Sequence, residues 1–175
     1  MIDRYCERHP GELDTALRFR DFVVSHSNCY DRELTVGHIT GSGWIVDESG
    51  IRTLLTHHRK LNLWLQPGGH ADGNDDVMAV AMQECLEETG LRNLSPVSAE
   101  IFDLDVHGIP ARKDEPSHFH YDVRFLIQQH GEDNYIVSEE SHDLAWVAMH
   151  SLEDYTDEWS MRRMRDKAIR HFNGA

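Results

Sequence analysis

Residues 77–91, VMAVAMQECLEETGL, constrain this chain more than any other stretch. Met78, Ala81, Met82 and Cys85 recur at the three-and-four spacing that makes one apolar stripe of a helix. Gly90 follows as a residue free to take positive φ, which ends the helix. At about 100° per residue, Glu84, Glu87 and Glu88 fall in one sector beside that stripe. Three carboxylates therefore converge at the rim of a core. At such spacing they repel one another, and a divalent cation reverses the sign of the interaction. Hard oxygen ligands suit Mg²⁺ or Mn²⁺ better than Zn²⁺. Standing alone, the cluster would read as an acidic solvated face.

It does not stand alone. Trp64-Leu65-Gln66-Pro67-Gly68-Gly69-His70 reads as a short strand entering a turn that brings bare backbone beside the helix. Together the two stretches resemble the Nudix box, G-x5-E-x7-R-E-U-x-E-E-x-G-U, where U is a bulky aliphatic residue. Gly69, Glu84, Glu87, Glu88, Gly90 and Leu91 match at the required offsets, while Asp75, Gln83 and Cys85 depart from the pattern. The resemblance implies a Nudix-type α/β/α sandwich with a mixed β-sheet. It also implies metal-dependent hydrolysis of a diphosphate bond, in a nucleoside diphosphate linked to another moiety or in a related organic pyrophosphate. Glu84, Glu87 and Glu88 would hold Mg²⁺ or Mn²⁺, and one of the glutamates or Glu140 would take a proton from water. Glu140, six residues before Trp146, resembles a loop glutamate that some family members use as ligand or base. Gly68 and Gly69 would let backbone pass close to metal or substrate. A hydrogen bond from Gln83 to Asp75 would replace the family's bracing ion pair.

With 17 basic and 31 acidic residues, the formal net charge is −14. That balance argues against broad nucleic-acid or anionic-membrane binding, so a small phosphorylated substrate needs a metal and a few placed cations. Arg59 and Lys60, in His58-Arg59-Lys60, are cations close enough to the Gly-rich turn to meet phosphate, with Arg59 the candidate substrate contact; a solvated loop is the alternative. Cys6, Cys29 and Cys85 form no CxxC pair, which fits a reducing compartment. The charged start MIDRYCERHPGE does not read as a signal peptide, and no apolar run has the length of a membrane span. A cytoplasmic enzyme is the expectation. A homodimer is compatible with the family.

The expected organisation is a single domain over 1–175, with a helical extension at 1–32 and the Nudix fold at 33–175. A helix is predicted from Gly11 to Ser25, strands near His38 to Val46 and Ile51 to His57, and another over Val97 to Val106. Residues 108–117 read as a polar loop. From His118 to Ile127 apolar and polar residues alternate, so one strand face belongs in a core and the other meets solvent or a cleft. His118 and His120 on the polar face are candidate substrate contacts. A strand near Ala145 to Met149 and a basic helix from Ser160 to Phe172 complete the chain.

Two other functions compete. His118, His120 and Asp122 form an HxHxD pattern resembling that of zinc hydrolases, although Val123 stands where a further His is usual. A catalytically silent module binding a nucleotide or a protein would accommodate Asp75 and Gln83, but has no need of three crowded glutamates.

Overall fold

The computed structural model describes residues 1–112 and 116–174. Two helices, α1 (Ile2–Arg8) and α2 (Leu13–Ser25), precede strands β1 (Gly37–Val46), β2 (Arg52–His58), β3 (Leu63–Leu65) and β4 (Gly68–His70). Helix α3 (Val77–Thr89) follows, then β5 (Leu94–Pro96), β6 (Asp103–Ile109), β7 (His118–Gln129), β8 (Ser141–Ala148) and α4 (Trp159–Asn173). The sheet is mixed. β1 runs parallel to β7 from Gly37 opposite Phe119 to Val46 opposite Gln128, and the other pairings are antiparallel.

The period-two alternation of the central strands sends their side chains into two separate cores. Ile39, Ile45, Tyr121 and Phe125 pack with Phe19 and Phe22 of α2 and with Ala81 and Cys85 of α3. Trp44, Val46 and Leu126 pack instead with Met161, Met164 and Ala168 of α4. Helices therefore cover both faces of the sheet, the α/β/α arrangement expected from the sequence. Among the described residues, no helix is long and apolar enough to cross a membrane.

The N-terminal segment differs in detail from its sequence reading. α2 starts at Leu13 after a 3-10 turn over Pro10–Glu12, and α1 was not expected. Only seven residues long and mostly polar, α1 carries little periodic signal; it is anchored by Tyr5, which is fully buried. Phe22 of α2 stacks on Tyr121, with ring centroids 3.7 Å apart.

The strand expected over 97–106 is also displaced. β6 runs from Asp103 to Ile109, taking the first residues of the expected 108–117 loop; residues 113–115 of that loop lie outside the described residues. Val97, Ile101 and Phe102 supplied the apolar signal; their side chains pack into the two cores, and Val97 N and Phe102 N each donate one hydrogen bond to β7, at 2.9 Å to the Leu126 and Arg124 carbonyls, without forming a continuous strand.

The polar row of β7 is not a solvated face. Arg124 is buried and donates to Asp122 at 2.6 Å and to Asp103 at 3.1 Å. Asp103 accepts from Arg163 at 2.7 and 2.8 Å and from Lys167 at 2.7 Å. Lys167 also donates to Tyr5 and Glu12, both at 2.8 Å. This network joins α1, β6, β7 and α4, so two of the basic residues of α4 are internal structural groups. Such burial is tolerated because each charge has several partners.

Candidate active site

The box helix α3 lies very close to β1. Asp76 caps its first turn by accepting from Ala79 N at 3.1 Å, and Gly90, at φ 68°, closes it. A Cβ at Gly41 would lie 2.8 Å from the Val77 carbonyl, and one at Gly43 would overlap Cys85 Sγ. Cys85, in place of a bulky aliphatic residue, is fully buried directly above that strand glycine.

The free edge of β1 is shared between β4, which pairs with Thr40, Gly41 and Ser42, and β2, which pairs at Val46. Between them, Gly43 N donates to the Pro67 carbonyl at 3.0 Å. The Pro-Gly-Gly turn is thus drawn against α3. Gly68 N donates to Glu88 Oε1 at 2.8 Å, and Gly69 faces the Glu84 carboxylate.

Glu84, Glu88, Glu140 and Asp122 line one cavity of about 370 Å³, with Gly68 and Gly69 in its wall. Glu88 is 6% exposed. Burial pushes its carboxyl up to about 7; the Gly68 amide opposes the rise, while the charges of Glu84 and Glu140 add to it. Burial also raises Glu84, reinforced by Glu87 and Glu140. These shifts mark a set of oxygens that lacks a countercharge, and a hard divalent cation supplies one. The all-oxygen donor set fits Mg²⁺ or Mn²⁺.

Glu87 is placed differently from its neighbours. It is exposed, accepts from Gln83 Nε2 at 2.8 Å, and does not line the cavity. The expected contact between Gln83 and Asp75 is absent, because Gln83 turns along its own helix while Asp75 lines a separate cavity with Tyr30.

Arg59 does not line the cavity either. Its backbone N–H donates to the Glu140 carbonyl and its guanidinium to the Ser141 carbonyl, both at 2.9 Å, so it holds the Glu140 loop in place. Lys60 and Arg32 are the cations of the lining. His120 lines the cavity, whereas His118 is buried, with Nδ1 2.9 Å from the Pro116 carbonyl.

Asp122 does not join its neighbouring histidines as the HxHxD pattern required. It accepts from Thr40 at 2.9 Å, Ser42 at 2.7 Å and Gln66 at 3.3 Å, besides Arg124. Of the two cations in His58-Arg59-Lys60, Lys60 is the one that reaches the cavity, and sequence reasoning missed Ser42, Gln66 and Arg32 as parts of this site. The available signal was the run Thr40-Gly41-Ser42-Gly43, since glycines inside a strand mark a close approach of another element.

A family model described as the NUDIX domain matches residues 38–168. Among curated proteins, nucleoside diphosphate-linked moiety X motif 6 of Xenopus laevis is 37% identical over 54 residues, 30% of this chain and 25% of that relative. The chain thus aligns with only about a quarter of that protein's length. The solved binary complex of a C. elegans Ap4A hydrolase is similar at TM-score 0.63 and 18% identity, covering 78% of this chain and 98% of the other. The E. coli dihydroneopterin triphosphate pyrophosphohydrolase is similar at TM-score 0.60 and 15% identity, covering 78% and 96%. At those identities, the likeness is one of fold.

Proposed function

The chain belongs to the Nudix family, and from that premise we propose that it is a pyrophosphohydrolase cleaving a diphosphate bond in a nucleoside diphosphate linked to another moiety, or in a related organic pyrophosphate. The observation that carries this reading is the meeting of Glu84, Glu88 and Glu140 in one cavity beside the Gly68-Gly69 backbone. The names of the curated relative and of the two hydrolases point to the same substrate class.

Glu84 and Glu88 hold Mg²⁺ or Mn²⁺, with the exposed Glu87 as an outer carboxylate. When bound, such an ion neutralises phosphate oxygens that gain charge in the transition state and lowers the pKa of attacking water. Glu140, on the loop fixed by Arg59, accepts the proton as water attacks one phosphorus, and a phosphate or nucleotide leaves. Lys60 and Arg32 attract the anionic substrate that an overall charge of −14 would otherwise repel. Gly68 and Gly69 keep side chains out of the space beside the carboxylates.

Residues 1–32 and 33–175 act as one unit, joined by the buried Tyr5–Lys167 contact. The test is a panel of dinucleoside polyphosphates, nucleotide sugars and nucleoside triphosphates with Mg²⁺ or Mn²⁺, scored by phosphate and nucleotide release. Turnover of some member with either ion, abolished by chelation, is expected. No turnover across the panel would instead favour a silent binding module.

A further inference from the structure

We propose that His38, His118 and His120 form a second metal site, distinct from the carboxylates, that takes one zinc-class divalent ion. The parallel register sets His38 of β1 beside His120 of β7, and His118 follows two residues away on the same face. One ring nitrogen from each of the three lies within 4.8 Å of the others.

The second observation is the state of His38. It is 2% exposed, and neither ring nitrogen has a partner in hydrogen-bonding geometry. The Leu34 carbonyl lies near enough to favour the charged ring slightly, but not in hydrogen-bonding geometry. Burying an unsatisfied imidazole is unfavourable, and a metal ion bound at one of its nitrogens relieves part of that penalty.

The other two rings are arranged as ligands. His118 Nδ1 faces the Pro116 carbonyl at 2.9 Å, which makes Nδ1 the protonated nitrogen and leaves the Nε2 lone pair for a metal. His118 Nε2 and His120 Nε2 are 3.4 Å apart. Two imidazole nitrogens on a tetrahedral zinc, each bonded at ~2.0–2.1 Å, stand about 3.3 Å apart.

Charge favours the same assignment. Burial, then the neighbouring His70 and His118, holds His38 down to about 4. Burial, then His70 and His107, holds His120 down to about 2. Both are neutral near pH 7, the form that binds metal. His70 Nδ1 accepts from Arg32 at 2.6 Å, and His107 Nδ1 donates to Asp105 at 3.0 Å, so these two flank the site without completing the set. His120 also lines the carboxylate cavity, so the fourth position falls to water or to an anionic oxygen held there.

This site does not depend on the hydrolase reading, and its test does not use turnover. Metal-free full-length protein is titrated with Co²⁺ in excess Mg²⁺, following the visible absorption of tetrahedral Co²⁺, and Zn²⁺ is then added to displace it. One equivalent of tetrahedral Co²⁺, displaced by Zn²⁺, is expected. Loss of an outer partner alone costs about 10–100-fold in metal affinity, so His120→Ala and His118→Ala should each weaken binding by more than ~100-fold. Glu88→Gln should leave it unchanged. If His118→Ala does not fold, His120→Gln, at the least buried of the three positions, decides. Absence of tetrahedral Co²⁺ in the wild-type protein overturns the proposal, as does binding that survives His120 substitution or is lost with Glu88→Gln.

Discussion

Gly69 and Glu84 are so close that a side chain at 69 must displace the carboxylate: a Cβ there would lie 2.7 Å from Glu84 Oε2. Glu84 can swing away, so Gly69→Ala should cost less than about 1 kcal/mol of stability while weakening Mg²⁺ binding and turnover. Gly68→Ala meets the whole of Ser42, side chain and backbone together, with its Cβ 2.7 Å from Ser42 Cβ and 2.8 Å from Ser42 Cα, neither of which can swing away. It should cost about 1–3 kcal/mol. Thermal midpoints and Mg²⁺ titrations of the two variants separate the effects; an equally stable Gly68→Ala protein would contradict this packing.

The contact between Gln83 and Glu87 carries a different expectation. A double-mutant cycle on Gln83→Ala and Glu87→Ala should give a coupling of ~0.2–0.5 kcal/mol. The same cycle with Asp75→Ala should give none. Coupling between Gln83 and Asp75 would restore the bracing that the sequence suggested and the structure lacks.

Asp103 makes the fold acid-sensitive. Burial alone pushes its carboxyl up, but hydrogen bonds from Arg163 and the charges of Arg124, Lys167 and Arg163 outweigh that and hold it below the usual range. A depressed folded pKa contributes stability above the unfolded value, about 3.9, and the contribution is lost as pH falls through the folded value. Asp103→Asn should destabilise the protein by about 3–5 kcal/mol at pH 7 and flatten the fall in stability below about pH 4. Urea midpoints across pH 3–7 measure both; a variant with the wild-type acid slope would place the sensitivity elsewhere.

Much of this was legible locally. The apolar stripe of α3 and the alternation of β7 are short-range patterns, and each identified its element. What escaped were partnerships between distant segments. Arg124 looks solvated in the sequence because two of its three carboxylate partners, Asp103 and Asp105, lie on another strand. Arg163 and Lys167 look like surface cations because their partner Asp103 is some sixty residues away. Asp122 looked like a ligand of its HxHxD neighbours until the parallel pairing set Thr40 and Ser42 beside it. Within the site, the box spacing named Glu84 and Glu88. The position of Glu140 at the cavity depends on β2 pairing with β8 and on Arg59, neither visible from spacing.

The hydrolase reading stands or falls on Glu88, the buried carboxylate tied to Gly68. Glu88→Gln keeps its shape and can still accept from the Gly68 amide, but removes one negative charge. The decisive measurement is kcat and Mg²⁺ affinity of this variant beside wild type, on whichever diphosphate substrate turns over. Mg²⁺ affinity should fall, and kcat should drop by about 10²–10³-fold, the scale for losing one preorganised electrostatic group. Unchanged kcat together with unchanged Mg²⁺ affinity would contradict the assignment of this cavity as the active site.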